Sequence, residues 1–558
     1  MGNADAARKF LDPKLDHLHS PYLMKGMREA VARIQQAVAN HERILIYGDY
    51  DVDGTTAIVI LKKAIEIVGG TAEFHVPHRI RDGYGMKDDV IERAAESGVR
   101  LVISVDTGIR AFAAAEAARR VGLDLIVTDH HLPEDGQLPH AFAVLNPNQR
   151  GCAYPCKSLC GAGIAFKIGQ ALLEARDEAD ARRRLLPSFL KMAAIATIAD
   201  AVPLAGENRV IAKLGLAGLR DPRNVGLRAL MTVAQLGDKQ RQLSASDVAF
   251  RIAPRMNAAG RMDVAQTVIE LFEAREEDKA RELAAKLNQL NSDRQTSEQQ
   301  IVQALEARLI EPQFADARCI VLDGDGWHRG VIGIAATRVV ERTYRPALVI
   351  SRDNGEAHGS GRSIPAFHLL SALESCHELF TRFGGHAHAV GFSLPSERID
   401  ELRTRLDLYA RQRLTPEDLI PELEAEAEIE LSGINPELIQ TVQAMEPFGV
   451  GNREPMFVAR QLRVLLPPKV LKDKHAKMRV AQTNGKAMRF DAMAWRMAER
   501  IAAEGILAND RIDLAFTLDE NTHPDFGGIE LRVCDFKKSA TVMEASEATA
   551  AGVSAHPT

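Results

Sequence analysis

The chain has 558 residues, more than one ordinary hydrophobic core accommodates, so three to four domains are expected. Hydrophobic residues make up 46% and charged residues 26%, which excludes a mainly disordered, collagenous or membrane-embedded protein. Seventy Lys plus Arg against 76 Asp plus Glu give a formal charge of −6, so a uniformly basic polymer-coating protein is excluded and any nucleic-acid surface must be local.

Six cysteines are too sparse for a disulfide scaffold, and their thiols are expected to be free in a reducing cytosol. No apolar run approaches the ~18 residues of a membrane span, and Met1 to Asp16 is polar rather than signal-like. The expectation is a cytoplasmic protein without membrane association.

In chain order, a polar N-terminal segment (1–40) precedes an α/β region (41–265) in which short apolar runs alternate with helical stretches, the pattern of a parallel sheet. The runs Ile44–Tyr47, Leu101–Val105 and Leu125–Thr128 read as strands buried on both faces. Asp106 and Asp129 follow their strands directly, and Asp49 follows after Gly48. The carboxyl ends of strands are where open α/β sheets bind ligands. The small-residue apolar run Met192–Ala199 closes on a fourth acid, Asp200. Helical spacing without Gly or Pro between Asp278 and Glu311 predicts one long connecting helix within 266–314. A second α/β domain is expected over 315–450, with Gly-rich turns at 324–333 and 355–361. The alternating Glu422 to Glu430 read as a solvated face. Short strands over 451–538 suit a small β-barrel. Within it, 458–490 holds nine cations (Arg460, Arg463, Lys469, Lys472, Lys474, Lys477, Arg479, Lys486, Arg489) against Asp473, either a nucleic-acid face or a solvated one. The tail, 539–558, has a disordered composition.

Three carboxylates at alternate positions, Asp49, Asp51 and Asp53, end the first strand. An Asp-x-Asp-x-Asp-Gly string also opens a calcium loop, but position twelve there must be Glu and here is Ile60. Three such acids repel one another unless cations neutralise them. With Asp106, Asp129, His130, His131 and Asp200 they form an oxygen-rich set with imidazole and no Cys, suited to Mn²⁺ or Mg²⁺ rather than structural zinc. Two such ions roughly 3.5 to 4 Å apart serve in-line attack on phosphorus, so hydrolysis of a phosphoester or phosphoanhydride is the natural reaction. Cys152, Cys156 and Cys160 lack a convincing fourth ligand, and Cys160 is expected to pack at a helix start.

Asp49-Tyr50-Asp51-Val52-Asp53, Asp106, Asp129-His130-His131 and Asp200 resemble, in order, the motifs of the DHH phosphoesterases. Phe10 to Pro13, Arg79 to Met86, Pro254 to Arg261 and Gly359 to Ser363 are similar to the branch that degrades single-stranded DNA from the 5′ end. Gly384-Gly385-His386 and Ala389 to Phe392 resemble the DHH-associated domain. The resemblance implies Asp51, Asp53, Asp106, His130 and Asp200 as ligands of two Mn²⁺ or Mg²⁺ ions, with Asp49 and Asp129 supporting and His131 facing the scissile phosphate. It also places Ser360, Arg362, Arg255 or Arg261, Arg79 or Arg81, Tyr84 and His386 on the substrate. Several relatives carry His four residues before the first ligand Asp, where this chain has Tyr47, a poorer metal ligand.

The implied function is a 5′ to 3′ exonuclease of DNA repair and recombination. It would be a monomer that grips single-stranded DNA through an OB-like barrel with Phe457 or Trp495 stacking on bases, and would work with a single-strand-binding protein and a helicase. The alternatives are a phosphoesterase of short oligonucleotides or small phosphates, or a non-catalytic strand-binding scaffold.

Overall fold

Five parallel strands build the first sheet, in the order Ala72–His75, Arg43–Gly48, Val99–Val105, Asp124–Thr128, Ala143–Leu145. The computed structural model describes all residues except 1–3, 84, 135, 176–178, 238–241, 263, 483–487, 522–526 and 540–558, and the side chains of 179–184. Tyr84, Lys486 and almost all of the tail from 539 therefore lie outside the described residues. The three runs expected as strands are the three central ones, and each is apolar on both sides because each side meets a helical layer. Ile44, Ile46, Leu101, Ile103 and Ile126 enter one core, which includes the helices Val52–Ile67 and Gly161–Glu174. Leu45, Tyr47, Val102, Leu125 and Val127 enter the other. The two edge strands are short, four and three residues, and lie outside the expected runs.

The N-terminal segment is part of this lobe. Met24, Met27, Ala30, Val31, Ile34 and Ala37 are buried in the first core. The segment is tied down by a buried ion pair, Lys167 Nζ to Glu207 Oε1 at 2.9 Å. Lys167 also donates to the His19 carbonyl, and Tyr154 Oη donates to Glu207 Oε2, both at 2.6 Å.

The long helix spans Glu277–Leu309, 33 residues, or about 50 Å. Ala280, Leu283, Ala284 and Leu287 pack into the first core, whereas Ile301 and Leu305 pack into a core beneath the second sheet. The helix thus bridges two lobes. The residues 266–314 that surround it also contain the separate helix Gln266–Glu273 and the start of another, Pro312–Ala315. The second sheet runs Ile320–Asp325, Ala347–Asp353, Glu356–Arg362, Ala389–Pro395, Arg382–Gly385, with only the first pair parallel.

The chain divides into two compact units, Met1–Pro421 with Gly449–Gly451, and Glu422–Phe448 with the chain from Asn452 onward. Residues 422–448 therefore leave the expected 315–450 domain. The reason is burial: Leu431, Ile434, Ile439 and Val442 pack in the same core as Phe457, Val480, Phe516 and Val533. In that second unit seven strands form one sheet, and pairing of Arg463 and Val464 with Ala481 and Val480 closes it into a small barrel. Among the described residues, no helix is long and apolar enough to cross a membrane.

Candidate metal centre and phosphate site

The carboxyl ends of three neighbouring strands deliver Asp49, Asp106 and Asp129 to one edge of the first sheet. Asp51 is the N-cap of the Val52–Ile67 helix and accepts the Gly54 N–H at 3.0 Å. Asp53, in the first turn, is 2% exposed and accepts two backbone N–H groups at the start of another helix, Gly161 at 2.6 Å and Ala162 at 2.7 Å. Two helix N-termini therefore converge on the cluster, and their dipoles favour negative charge there. Gly161 is needed for this approach, because a Cβ on it would lie 2.5 Å from the Asp106 Cβ. Asp106 itself has φ +61°, a left-handed backbone that a non-glycine residue holds at a cost.

His130 Nε2 sits 3.2 Å from Asp106 Oδ1, 3.8 Å from Asp200 Oδ2 and 3.9 Å from Asp53 Oδ2. Three overlapping groups, Asp53–His130–Asp200, Asp106–His130–His131 and Asp49–Asp51–Asp106, each bring their ligand atoms within 4.8 Å of one another. All five expected ligands are thus together, and Asp49 joins them. Asp129 has a different task. Its Oδ2 accepts the Ile109 N–H at 2.9 Å, and its Oδ1 lies 2.7 Å from His131 Nδ1, so it orients that imidazole. Tyr47 is buried and donates to the Gly85 carbonyl at 3.3 Å. Among the described residues no cysteine enters a ligand group. Cys160 caps the Gly161–Glu174 helix, its Sγ accepting the Gly163 N–H at 3.4 Å.

The electrostatics follow from crowding. Burial and the neighbouring Asp51 push Asp49 up to about 8, and burial and Asp53 push Asp200 up to about 8. Burial and Asp53 raise Asp51 and Asp106 as well. Burial holds His130 below the usual imidazole value despite Asp53. For His131 burial is outweighed by the Asp129 hydrogen bond, and its imidazole rises to about 9. Among the described residues, Asp106 Oδ1 is buried and accepts no hydrogen bond. Such an orphaned oxygen, amid carboxylates that repel one another, fits divalent cations as the missing counter-charge.

A cationic group faces these acids. Arg79 lies 4.8 Å over the Tyr50 ring, and Arg261 donates to the Gly330 carbonyl at 3.0 Å, bridging the two lobes of the first unit. Burial, Arg79, Arg294 and Arg362 together bring the Arg261 guanidinium down to about 10. Arg362, half-buried, bonds Ser360 Oγ at 3.2 Å and is lowered by burial and Arg79. Guanidinium groups crowded in this way hold a ready place for phosphate oxygens. His386, exposed, is lowered by burial and by the charges of Arg110 and His131.

Other expected contacts fall elsewhere. Arg255 is spent on protein acceptors, Asn288 Oδ1 at 3.0 Å, the Arg251 carbonyl at 2.6 Å and the Val233 carbonyl at 3.3 Å, so of the pair only Arg261 joins the cluster. The Arg81 side chain is exposed. Gly359 and Gly361 face inward, where a Cβ would overlap the Phe392 ring or meet Leu369 and Val390, so packing rather than a phosphate explains them.

Residues not singled out from the sequence also shape the site. Asn148 Nδ2 donates to the His130 carbonyl at 2.9 Å, and Asn146 Nδ2 to the His131 carbonyl at 2.8 Å. Asn257 Oδ1 accepts the Val52 N–H at 3.2 Å. Their only sequence signal is position, directly after a strand or inside the Arg-rich motif.

In the barrel, Phe457 is 7% exposed in the core against Phe516 and cannot stack on a base, whereas Trp495 is 51% exposed beside His475. Part of the basic stretch is neutralised: Arg460 pairs with Glu428, Lys477 with Asp491 and Glu530, and Arg479 with Asp491. Lys469, Lys472 and Lys474 are exposed, and none of them forms an ion pair among the described residues.

Residues 43–197 match the family described as DHH family, N-terminal domain, residues 316–412 the DHHA1 domain, and residues 425–535 the RecJ OB domain. The chain is 38% identical over 530 residues to the single-stranded-DNA-specific exonuclease RecJ of Bacillus subtilis, covering 93% of this chain and 64% of that relative. It is 35% identical to the RecJ of Dickeya dadantii, covering 89% of this chain and 88% of the relative. The crystal structure of RecJ in complex with Mn²⁺ from Thermus thermophilus matches with a TM-score of 0.80 at 30% identity, covering 96% of this chain and 74% of the other. Its counterpart in complex with Mg²⁺ matches with a TM-score of 0.75 at 29% identity, covering 96% of this chain and 73% of the other. The chain belongs to the RecJ family of single-stranded-DNA-specific exonucleases.

Proposed function

We propose that this chain is a metal-dependent exonuclease that hydrolyses single-stranded DNA from its 5′ end in DNA repair and recombination. The observation that carries the reading is the juxtaposition of an acid and imidazole cluster with a guanidinium group, Arg79, Arg261 and Arg362, that forms no ion pair among the described residues. Asp51, Asp53, Asp106, His130 and Asp200, with Asp49 beside them, would hold two Mn²⁺ or Mg²⁺ ions, which supply Lewis-acid activation and charge neutralisation at phosphorus.

The residues themselves do the rest. Gly161 and Ala162 N–H groups fix both oxygens of Asp53, so the carboxylate keeps one orientation through the reaction. Asp129 holds the proton on His131 Nδ1, and the charged imidazole would donate to a non-bridging phosphate oxygen as negative charge builds. Arg79, Arg261, Arg362 and Ser360 grip the terminal phosphate, which sets which phosphodiester lies over the acids. Tying phosphate recognition to the chain end accounts for attack from the 5′ terminus.

The barrel's Lys469, Lys472 and Lys474, with exposed Trp495, support a strand-tracking surface. A cytoplasmic monomer supplied with strands by a helicase and a single-strand-binding protein completes the reading, on the strength of the family. The test is incubation with Mn²⁺ and end-labelled single strands, duplexes and small phosphate compounds. Mononucleotides released from the 5′ end of single strands alone are expected; equal hydrolysis of duplex or of small phosphates refutes the reading.

A further inference from the structure

A cavity of about 490 Å³ opens in the parallel-sheet lobe, walled by the later turns of Val52–Ile67, by Ser188 to Met192 of the helix Ala179–Ala199, and by the Pro222 to Asn224 and Ala274–Arg275 turns. That volume lies in the range of small-molecule sites. Its floor is apolar, with Ile60, Phe189, Met192, Leu227 and Phe272 all buried.

Its rim is cationic. Lys62 and Lys63 line it but are matched by Glu273 and Glu66. Lys191, Arg223 and Arg275 also line it, and among the described residues none of these three forms an ion pair. Burial and the charge of Arg223 hold the Lys191 ammonium below its usual value, opposed by Asp221. Two like charges over an apolar floor, only partly offset by Asp221, are costly unless an anion joins them. An anion with two charges and a flat body would match these cations and cover the floor. A fatty acid has one charge and a long flexible chain, and inorganic phosphate leaves the floor uncovered.

We propose that this cavity binds a nucleoside monophosphate, with the base on the Phe189, Leu227 and Phe272 floor and the phosphate between Lys191 and Arg223. The site is separate from the metal cluster yet built on the same two helices. Asp51 caps the helix that carries Ile60 and Asp53 lies in its first turn, and Asp200 directly follows the helix that carries Met192. Seven and eight residues of helix, about 10 to 12 Å, separate the cavity from the acids. An occupant that shifts either helix shifts an acid of the cluster, so nucleotide binding and divalent-metal binding are reciprocally coupled.

The cavity's chemistry stands whether or not the metal cluster cleaves DNA. The test is calorimetric titration of the full chain with dAMP in the Arg362→Ala background, which removes a phosphate contact at the metal centre, in chelator. Parallel arms use adenosine and a short oligo(dA). Saturable binding of dAMP is expected, at least tenfold weaker for adenosine and for the Lys191→Glu/Arg223→Glu variant. Ser188 is exposed at the cavity wall, so Ser188→Trp plugs the space without burying a misfit, and it should also abolish the signal if the charge reversals fail to fold. Absence of dAMP binding at millimolar concentration, equal binding of adenosine, binding of oligo(dA) alone, or undiminished binding by Ser188→Trp each overturns the proposal.

Discussion

Replacing Gly161 by Ala adds one methyl group at the point where a helix start meets the acidic cluster. The new Cβ would lie 2.5 Å from Asp106 Cβ, 2.7 Å from its Oδ1 and 2.8 Å from its Cα. Ordinary carbon contacts begin near 3.5 Å, so about 1 Å of separation must be found. If the helix retreats, the Gly161 and Ala162 N–H groups, now 2.6 and 2.7 Å from Asp53, lose their grip. If Asp106 retreats, its Oδ1 leaves His130, now 3.2 Å away, and its left-handed backbone leaves little room for adjustment. Overpacking of this kind costs about 1–3 kcal/mol, and a displacement of about 1 Å among reacting groups lowers rate by about 100-fold. Gly169→Ala on the same helix is the control, because its Cβ meets Ala64 Cβ at 3.4 Å, an ordinary contact. The assay is Mn²⁺-dependent release from an end-labelled single strand, with thermal unfolding of both variants. Gly161→Ala cleaving within threefold of the parent refutes the close-packing argument, as does an equal loss of activity in Gly169→Ala.

Other substitutions probe the remaining links. His130→Ala should abolish cleavage while single-strand binding, measured by anisotropy, stays within a few fold; retained Mn²⁺-dependent cleavage removes His130 from the cluster's chemistry. Chelated protein should be pH-sensitive in a definite direction. Asp49 and Asp200, held at about 8, bind protons more readily folded than unfolded, where carboxylates titrate near 4. Their contribution to stability is fully present below about 4 and is lost as pH rises through about 8. Metal removal should therefore lower the unfolding temperature more at pH 8.5 than at pH 6, and equal losses at both sink the argument. Lys167→Met leaves Glu207 buried and unpaired, a loss of about 3–5 kcal/mol by denaturant titration, and a loss below 1 kcal/mol contradicts it. Replacing Lys469, Lys472 and Lys474 together by Ala should flatten the salt dependence of strand binding by about two to three counter-ions, and an unchanged slope would clear that face of DNA contact.

The central strands and the acids that follow them were legible because a strand buried on both faces must be apolar throughout, and the switch to Asp marks where it emerges. The edge strands Ala72–His75 and Ala143–Leu145 were not, since four and three residues are too few to show a strand's pattern, and the first mixes apolar and charged residues. Arg255 and Arg261 share one motif, and spacing alone does not tell which guanidinium turns to the cleft. The five-residue π-turn Val248–Ile252 just before them further offsets the helical phase. The basic stretch looked stronger in sequence than in space because its neutralising partners, Asp491, Glu530 and Glu428, lie outside the window that defines it. The boundary near 422 was hidden for the opposite reason: its Glu residues are exposed, and the apolar residues that join the barrel core come only afterwards.

The turn that follows the Ala143–Leu145 strand couples the two adjacent imidazoles. Asn146 and Asn148 are held to each other, the Asn148 N–H donating to Asn146 Oδ1 at 2.7 Å, and each clamps the carbonyl of one histidine. His130 and His131 are therefore not independently adjustable: a change in this turn re-aims both rings at once. Lesions at Asn146 and Asn148 should behave as one lesion, with the double variant hardly worse than either single, and the geometry of the pair is inherited as a unit rather than tuned one ring at a time.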